Sequence, residues 1–176
     1  MAMILVGLGS NQRFCGASSQ QVLGLAARAL NQAAIIVAAS RVFGAPAWPD
    51  PADPPFANAV VAVEWEGSPE SLLKLLHRIE AAFGRRRGRR NAPRTLDLDL
   101  LAFHDVVCEP AGVGGVQLPH PRLHERDFVL APICDIAPTW RHPRLGTTAQ
   151  ALLDALPEQT AEPLGPALLL TQRASL

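Results

Sequence analysis

Two aspartates separated by a single leucine, Asp97 and Asp99, lie in the run T-L-D-L-D-L that begins at residue 95. Side chains alternate along a β-strand, so this spacing predicts both carboxylates on one strand face, roughly 7 Å apart. Burying such a pair without cations would be very costly. The pattern therefore fits either solvated or arginine-paired acids on an exposed face, or a site for a hard divalent ion. Proteins usually hold Mg²⁺ with carboxylates and substrate phosphates.

Arginine dominates the segment just before this strand. Six of the ten residues in 85–94 are arginine and none is acidic. Such a run is typical of a solvated loop or a nucleic-acid surface. Beside two carboxylates it also suits polyphosphate chemistry, in which Mg²⁺ bridges phosphate oxygens and guanidinium groups neutralise the transferring group. His120, fixed between two prolines and followed by Arg122 and Arg126, could donate a hydrogen bond to a phosphate oxygen.

The sequence lacks the common nucleotide-binding signatures. The chain has no G-x-x-x-x-G-K-[ST], no G-x-G-x-x-G and no protein-kinase H-R-D or D-F-G motif.

Composition excludes several classes of protein. The 176 residues are 48% hydrophobic, with a net charge of zero and no apolar run of membrane-spanning length. The three cysteines are odd in number and lack a C-x-x-C spacing, which indicates reduced thiols. We expect one cytoplasmic domain that binds neither membrane nor nucleic acid.

Hydrophobic periodicity and turn residues predict the elements that must position these side chains. Strands are expected at residues 3–9, 35–43, 58–66 and 95–103. Helices are expected at 18–31, 68–84, 123–135 and 147–155. Residues 44–57 contain five prolines and predict a long loop of functional type. The four apolar residues 167–170 predict an edge strand or a strip packed on the domain.

The first six elements follow the order strand, helix, strand, strand, helix, strand. This order predicts an α+β fold with a ferredoxin-like βαββαβ core, in which two helices pack on a mainly antiparallel four-stranded sheet and further helices follow toward the C-terminus. The other face of the sheet must then be covered by later segments or used for a ligand. The fold alone does not decide the function.

Two long motifs resemble the 6-hydroxymethyl-7,8-dihydropterin pyrophosphokinase family of folate biosynthesis. They are R-x-R-x2-R-N-A-P-R-T-L-D-L-D-L-L, from residue 85, and L-P-H-P-R-L-H-E-R-D-F-V-L-A-P, from residue 118. The opening G-L-G-S-N at 7–11 resembles the family as well. The resemblance predicts a pyrophosphokinase domain at 1–156 and a C-terminal tail at 157–176 that lies outside it. It implies ATP-dependent transfer of pyrophosphate to the pterin hydroxymethyl group, with release of AMP.

The resemblance also implies roles for individual residues. Asp97 and Asp99 match the aspartates that hold two Mg²⁺ ions, and Glu80 matches a conformational support. The residues expected to act on or bind the polyphosphate of ATP are Arg85, Arg87, Arg90, Arg94, His120 and Arg126; Arg85 and Arg94 are assigned, with the two aspartates, to catalysis. The residues expected to bind the pterin are Ala45, Pro46, Trp48, Phe56, Asn58 and Phe128, with Phe56 and Phe128 stacking on its ring.

Two alternatives remain at this point. One is a ferredoxin-like RNA-binding module that uses the arginine-rich loop on phosphates, although the chain lacks the R/K-G-F-G-F-V-x-F signature and has no tyrosine. The other is a relative of the pyrophosphokinases that acts on a different pterin. The main interpretation predicts only small-molecule substrates and a monomer.

Overall fold

A six-stranded sheet with helices on both faces organises the chain. In the computed structural model the described residues are 2–47, 50, 52–85, 94–110, 112 and 114–168. The strands are β1 (Ile4–Ser10), β2 (Ile35–Ala39), β3 (Arg41–Ala45), β4 (Phe56–Glu64), β5 (Asp97–Phe103) and β6 (Glu162–Ala167). The helices are α1 (Ser19–Asn31), α2 (Pro69–Ala82), α3 (Asp127–Ile136) and α4 (Ala149–Asp154), with a short 3₁₀ helix at Leu123–Glu125.

The sheet order is β5-β1-β4-β3-β6, with β2 paired to the other end of β4, and all these pairings are antiparallel. The α+β fold with its ferredoxin-like core is therefore confirmed. One face of the sheet forms an apolar core with α1 and α2, built around residues such as Val6, Val61 and Leu98. The opposite face packs part of its length against α3 and α4 through residues such as Leu5 and Leu130. The rest of that second face is left for the candidate site.

Local sequence explains where the helices begin. Ser18 accepts a hydrogen bond from the Gln21 backbone N–H while the Gln21 side chain accepts one from the Ser18 N–H, which is a capping box at α1. Ser68 caps α2 and is followed by Pro69 at the first helical position, where proline costs no hydrogen bond. Thr148 caps α4 in the same way.

Three predicted elements have different bounds in the structure. The expected strand at 35–43 is split at Ser40, which is fully buried and whose hydroxyl accepts a hydrogen bond from the Val60 N–H, so β2 and β3 pair with different parts of β4. The expected helix at 123–135 is broken at Arg126, whose extended backbone separates the 3₁₀ helix from α3. The edge strand β6 covers Glu162–Ala167 and so begins before the predicted 167–170; Leu168 is buried against the first core, and residues 169–170 lie outside the described residues.

Among the described helices, none has the length and the apolar character that crossing a membrane would require.

A buried histidine near α4 predicts an acid-sensitive contribution to stability. His142 is 2% exposed, and its Nδ1 accepts hydrogen bonds from the Arg144 and Leu145 backbone N–H groups, both at 3.3 Å. Burial, and secondarily His124 and Arg144, lower its pKa to about 4. Because the unfolded chain binds this proton near pH 6.5, the contribution is complete above pH 6.5 and is lost as pH falls toward 4.

We expect His142→Asn to remove this pH dependence, since the Asn Oδ1 can replace Nδ1 as acceptor but does not titrate. In urea unfolding, the wild type should lose stability relative to this variant between pH 6.5 and pH 4. His104 is exposed, so His104→Asn serves as the control and should run parallel to the wild type. If the unfolding free energy of His142→Asn changed with pH as it does in the wild type, His142 would not be the source of the acid sensitivity.

Candidate active site

Three neighbouring strands bring the two chemical motifs of the sequence to one place. Gly9 of β1 pairs with Asn58 of β4 on one side and with Asp97 of β5 on the other. Directly opposed residues in a sheet share a face, so the amide and the carboxylate flank a position with no side chain. A Cβ on Gly9 would come within 3.3 Å of the Asn58 Oδ1, so the glycine leaves space between the Asn58 and Asp97 side chains. Gly7 pairs with Asp99 one step along the strand.

Asp97 is held between two arginines that lie at the ends of the arginine-rich loop. The Arg85 Nη1 is 2.6 Å from its Oδ1, and the Arg94 Nη1 donates to its Oδ2 at 2.6 Å. Arg85 also pairs with Glu80, which is 4% exposed. The same Glu80 oxygen accepts a hydrogen bond from the Leu98 N–H at 2.7 Å. Glu80 thus connects α2, β5 and Arg85; its role as a conformational support stays a prediction.

Asp99 differs from Asp97 in its environment. Among the described residues, no cation forms an ion pair with its carboxylate; Arg126, Arg85 and Arg94 act on it only at longer range. Burial, and then repulsion from Asp97, raise the pKa of Asp99 to about 6. A carboxylate in this position is stabilised by an added cation.

The donor set fits hard divalent ions such as Mg²⁺, because both ligands are carboxylates and the second lacks a paired cation. Within the described ranges, no group of three or more His, Cys, Asp or Glu side chains could hold a metal ion. Asp97 and Asp99 would therefore share such an ion with oxygens from a bound phosphate and from water.

His120 and Arg126 approach this face from the segment before α3. The His120 N–H donates to the Leu101 carbonyl at 2.8 Å, which fastens the segment to β5. The Nδ1 accepts a hydrogen bond from the Arg122 N–H at 3.3 Å, which assigns the ring proton to Nε2. Burial, and then Arg126, lower the pKa of His120 to about 4, so the ring is a neutral donor at pH 7. Arg126 supplies a partly buried cation beside it, its guanidinium carbon 5.6 Å from the Phe128 ring centre.

The predicted pterin-binding residues fall into two groups. Asn58 is buried, and in the part of the chain that the structure describes its Nδ2 has no hydrogen-bond partner, so a donor is available to a ligand. Phe128 is partly buried at the start of α3. Ala45, Pro46 and Phe56 border a cavity of about 450 Å³ that also involves the start of α1 and β6. Asn58 and Phe128 are not in its lining. Within the described part of the chain, this cavity therefore brings together Ala45, Pro46 and Phe56 but not Asn58 or Phe128.

The predictions for Trp48, Arg87 and Arg90 lie outside the described residues.

Asn11 is a site residue that the sequence analysis did not single out. It is 3% exposed, its Oδ1 accepts from the Arg94 N–H at 2.8 Å, and its Nδ2 donates to the Pro54 carbonyl at 3.2 Å. One side chain thus joins the ends of the arginine-rich and proline-rich loops. Its position directly after a buried strand, in G-L-G-S-N, was the available signal.

The chain is similar to known proteins over most of its length. It is 39% identical over 131 residues to a 2-amino-4-hydroxy-6-hydroxymethyldihydropteridine pyrophosphokinase of Synechocystis, covering 74% of this chain and 63% of that protein. It is 38% identical over 139 residues to a protein of the same name from Methylorubrum extorquens, covering 78% and 84% respectively. The chain therefore spans less than two thirds of the first relative and most of the second.

A solved structure shares the fold. The HPPK-DHPS of Plasmodium falciparum superposes with a TM-score of 0.65 at 13% identity, over 87% of this chain and 44% of that one. The model of the 7,8-dihydro-6-hydroxymethylpterin-pyrophosphokinase (HPPK) family matches residues 5–138. This range contains both motifs from which the resemblance was inferred. Since it is most of the chain, the protein belongs to the 7,8-dihydro-6-hydroxymethylpterin-pyrophosphokinase family.

Proposed function

We propose that this protein transfers a pyrophosphoryl group from MgATP to the hydroxymethyl group of 6-hydroxymethyl-7,8-dihydropterin, releasing AMP, as a step of folate biosynthesis. The observation that carries the proposal is the register across β1. It puts Asn58, a buried amide whose Nδ2 has no partner among the described residues, across one strand from the Asp97 and Asp99 carboxylates. A heterocycle with hydrogen-bonding edges and a magnesium-bound polyphosphate would need these two groups side by side.

The side chains of this face have distinct tasks in the proposed reaction. Asp97 and Asp99 would hold Mg²⁺, which when bound supplies charge neutralisation and orientation for the phosphate oxygens. Arg85 and Arg94, already within 2.6 Å of Asp97, would place their charge on the polyphosphate. His120 donates from Nε2 and Arg126 adds a positive charge, so both bind and orient ATP. Asn58 orients the pterin through its free amide donor.

Water must be kept from the activated phosphate if transfer is to exceed hydrolysis. Asn11 ties Arg94 to Pro54, so the described ends of the two loops are joined beside the site. These described ends would therefore help to exclude water from the bound substrates. A cytoplasmic location accompanies the proposal and is supported by the free thiols of Cys15, Cys108 and Cys134. The expected monomer stays a prediction.

The test is a coupled measurement of AMP release from ATP by the purified full chain. We expect release only when both Mg²⁺ and 6-hydroxymethyl-7,8-dihydropterin are present. AMP release with another pterin, but not with this one, would show that the enzyme acts on a different pterin substrate. Salt-sensitive RNA binding without metal, and no AMP, would instead support the RNA-binding alternative.

Asn58→Ala should weaken pterin binding by about 5- to 150-fold, because it leaves one edge of the buried ring without its partner. Binding of a non-hydrolysable ATP analogue provides the internal control and should change little. Asn58→Asp retains the side chain's shape but removes its N–H donors, so it should fail to restore affinity. Equal losses for pterin and nucleotide in titration calorimetry would show that Asn58 does not contact the pterin.

A further inference from the structure

Asp127 is a buried carboxylate that the proposed reaction does not use. It is 9% exposed, and its Oδ1 accepts a hydrogen bond from the Phe128 N–H at 2.7 Å. Its Oδ2 accepts three more, from the Thr160 N–H, the Thr160 hydroxyl at 3.1 Å and the Ala161 N–H at 2.8 Å. No cation among the described residues forms an ion pair with it. These charge-assisted bonds are therefore what offsets the cost of its burial.

The position of Asp127 gives those bonds a consequence for binding. Asp127 is the first residue of α3 and lies between Arg126 and Phe128. Arg126 has an extended backbone, with φ −124° and ψ 113°, so the chain changes direction there. The Arg126 guanidinium also rests 5.6 Å from the Phe128 ring centre. A shift of Asp127 would therefore redirect both a candidate ATP contact and a candidate pterin contact.

The partner segment reaches the other candidate pterin contacts. Directly after Thr160 and Ala161, β6 pairs with β3, with Glu162 opposite Gly44 and Pro163 opposite Phe43. Gly44 precedes Ala45, where β3 ends. Residues 160–167 thus connect the start of α3 with the end of β3. This connecting segment lies beyond residues 5–138, the range that matches the family model.

We propose that Asp127 is a positioning residue, which with Thr160 and Ala161 forms a C-terminal latch that fixes Phe128 and Arg126 for substrate binding. The inference rests on the proposed function for its effect on substrates, whereas the latch itself does not depend on it. The latch acts most on the pterin, because both of its ends border candidate pterin contacts and only one borders Arg126.

A control carboxylate is available on the same helix. Asp135, near the end of α3, accepts hydrogen bonds from the Arg41 N–H at 2.8 Å and from the Arg41 Nε at 2.9 Å. Removing it costs two hydrogen bonds and the ion pair with Arg41 at the opposite end of the helix. We expect Asp127→Ala to raise the pterin dissociation constant by about 10-fold and that of a non-hydrolysable ATP analogue by about 3-fold, because misplaced contacts bind poorly. Asp135→Ala should leave both constants within about twofold, although it lowers the melting temperature.

Two milder variants keep the test decisive if Asp127→Ala folds poorly. Asp127→Asn retains one acceptor oxygen and should recover part of the pterin affinity. Thr160→Val removes only the hydroxyl bond, so it should weaken pterin binding by about twofold in the wild type and have no effect beside Asp127→Ala, which has no acceptor left for that hydroxyl. Pterin affinities that change as little as in Asp135→Ala would overturn the positioning role.

Hydrogen exchange of the free protein tests the latch without any substrate. Asp127→Ala and Asp127→Asn should speed exchange at the Phe128, Thr160 and Ala161 amides and leave α2 unchanged. Unchanged exchange at these three amides overturns the latch, even if turnover falls. If the wild type binds no pterin, the proposed function fails, and the exchange result still decides whether Asp127 fixes this segment.

Discussion

Asp99→Asn should reduce AMP release by about 10³-fold and yet make the metal-free protein more stable. The loss follows from removing a charged ligand of a hard ion, which is worth several kcal/mol of transition-state stabilisation, and about 4 kcal/mol corresponds to 10³-fold. The gain follows from the environment of the carboxylate. Asp99 has no paired cation among the described residues, and burial and Asp97 together raise its pKa to about 6.

The sign of the stability effect can be worked out from that pKa. The unfolded chain releases the Asp99 proton near pH 3.8 and the folded protein near pH 6. Ionised Asp99 therefore costs stability, and this cost grows as pH rises between these values. At pH 7 we expect Asp99→Asn to be more stable by about 1–3 kcal/mol, since a difference of one in pKa is worth about 1.4 kcal/mol. Below pH 4 the two proteins should be equally stable.

Asp97→Asn should lose turnover to a similar extent but should also lose stability. Its carboxylate is paired with Arg85 and Arg94, both at 2.6 Å, and the substitution leaves the two guanidinium groups close together without their shared anion. Thermal melting without metal, between pH 4 and pH 8, set beside AMP release at saturating Mg²⁺, distinguishes the two variants. If both melt below the wild type and retain comparable turnover, the aspartates have a structural role only.

The contrast between these two aspartates shows how far the sequence could lead. Strand alternation predicts that they share a face, and β5 places them so. Which of them is neutralised depends on where Arg85 and Arg94 fold back from the loop, and that is decided by tertiary contacts. A local pattern contains no information on these contacts.

Other features that the sequence did not predict also depend on tertiary contacts. Asp127 and Thr160 are 33 residues apart, and the hydrogen bonds between them depend on how the last strand crosses the sheet edge. The break at Ser40 was not predicted, because the surrounding residues favour one continuous β-strand. The Ser40 hydroxyl replaces a backbone carbonyl as the acceptor for the Val60 N–H, and hydrophobic periodicity does not reveal such a replacement. The face on which the site forms was predictable, since two helices can cover only one side of the sheet.

Glu80→Ala should destabilise the protein by about 2–4 kcal/mol, because it removes a partly buried ion pair and leaves the buried Leu98 N–H without its acceptor. Glu80 is 4% exposed, and one of its oxygens serves both the Arg85 guanidinium and the Leu98 N–H. Leu98 lies between Asp97 and Asp99, so losing the bond from its N–H to Glu80 would also loosen β5 at the position of the two carboxylates. Urea unfolding at pH 7 gives the measurement, with the exposed Glu70 of the same helix changed to alanine as the control.

Glu80→Gln separates the charge of this side chain from its role as an acceptor. The amide oxygen can still accept from the Leu98 N–H, so most of the stability should remain, whereas the charge that attracts Arg85 on its α2 side is lost. We expect this variant to fold and to release AMP about 10-fold more slowly, because Arg85 is held less firmly beside Asp97. Equal unfolding free energies for Glu80→Ala and Glu70→Ala would refute the buried connection. Full turnover in Glu80→Gln would show instead that Asp97 and Leu98 suffice to set the site and that the Glu80 charge is dispensable.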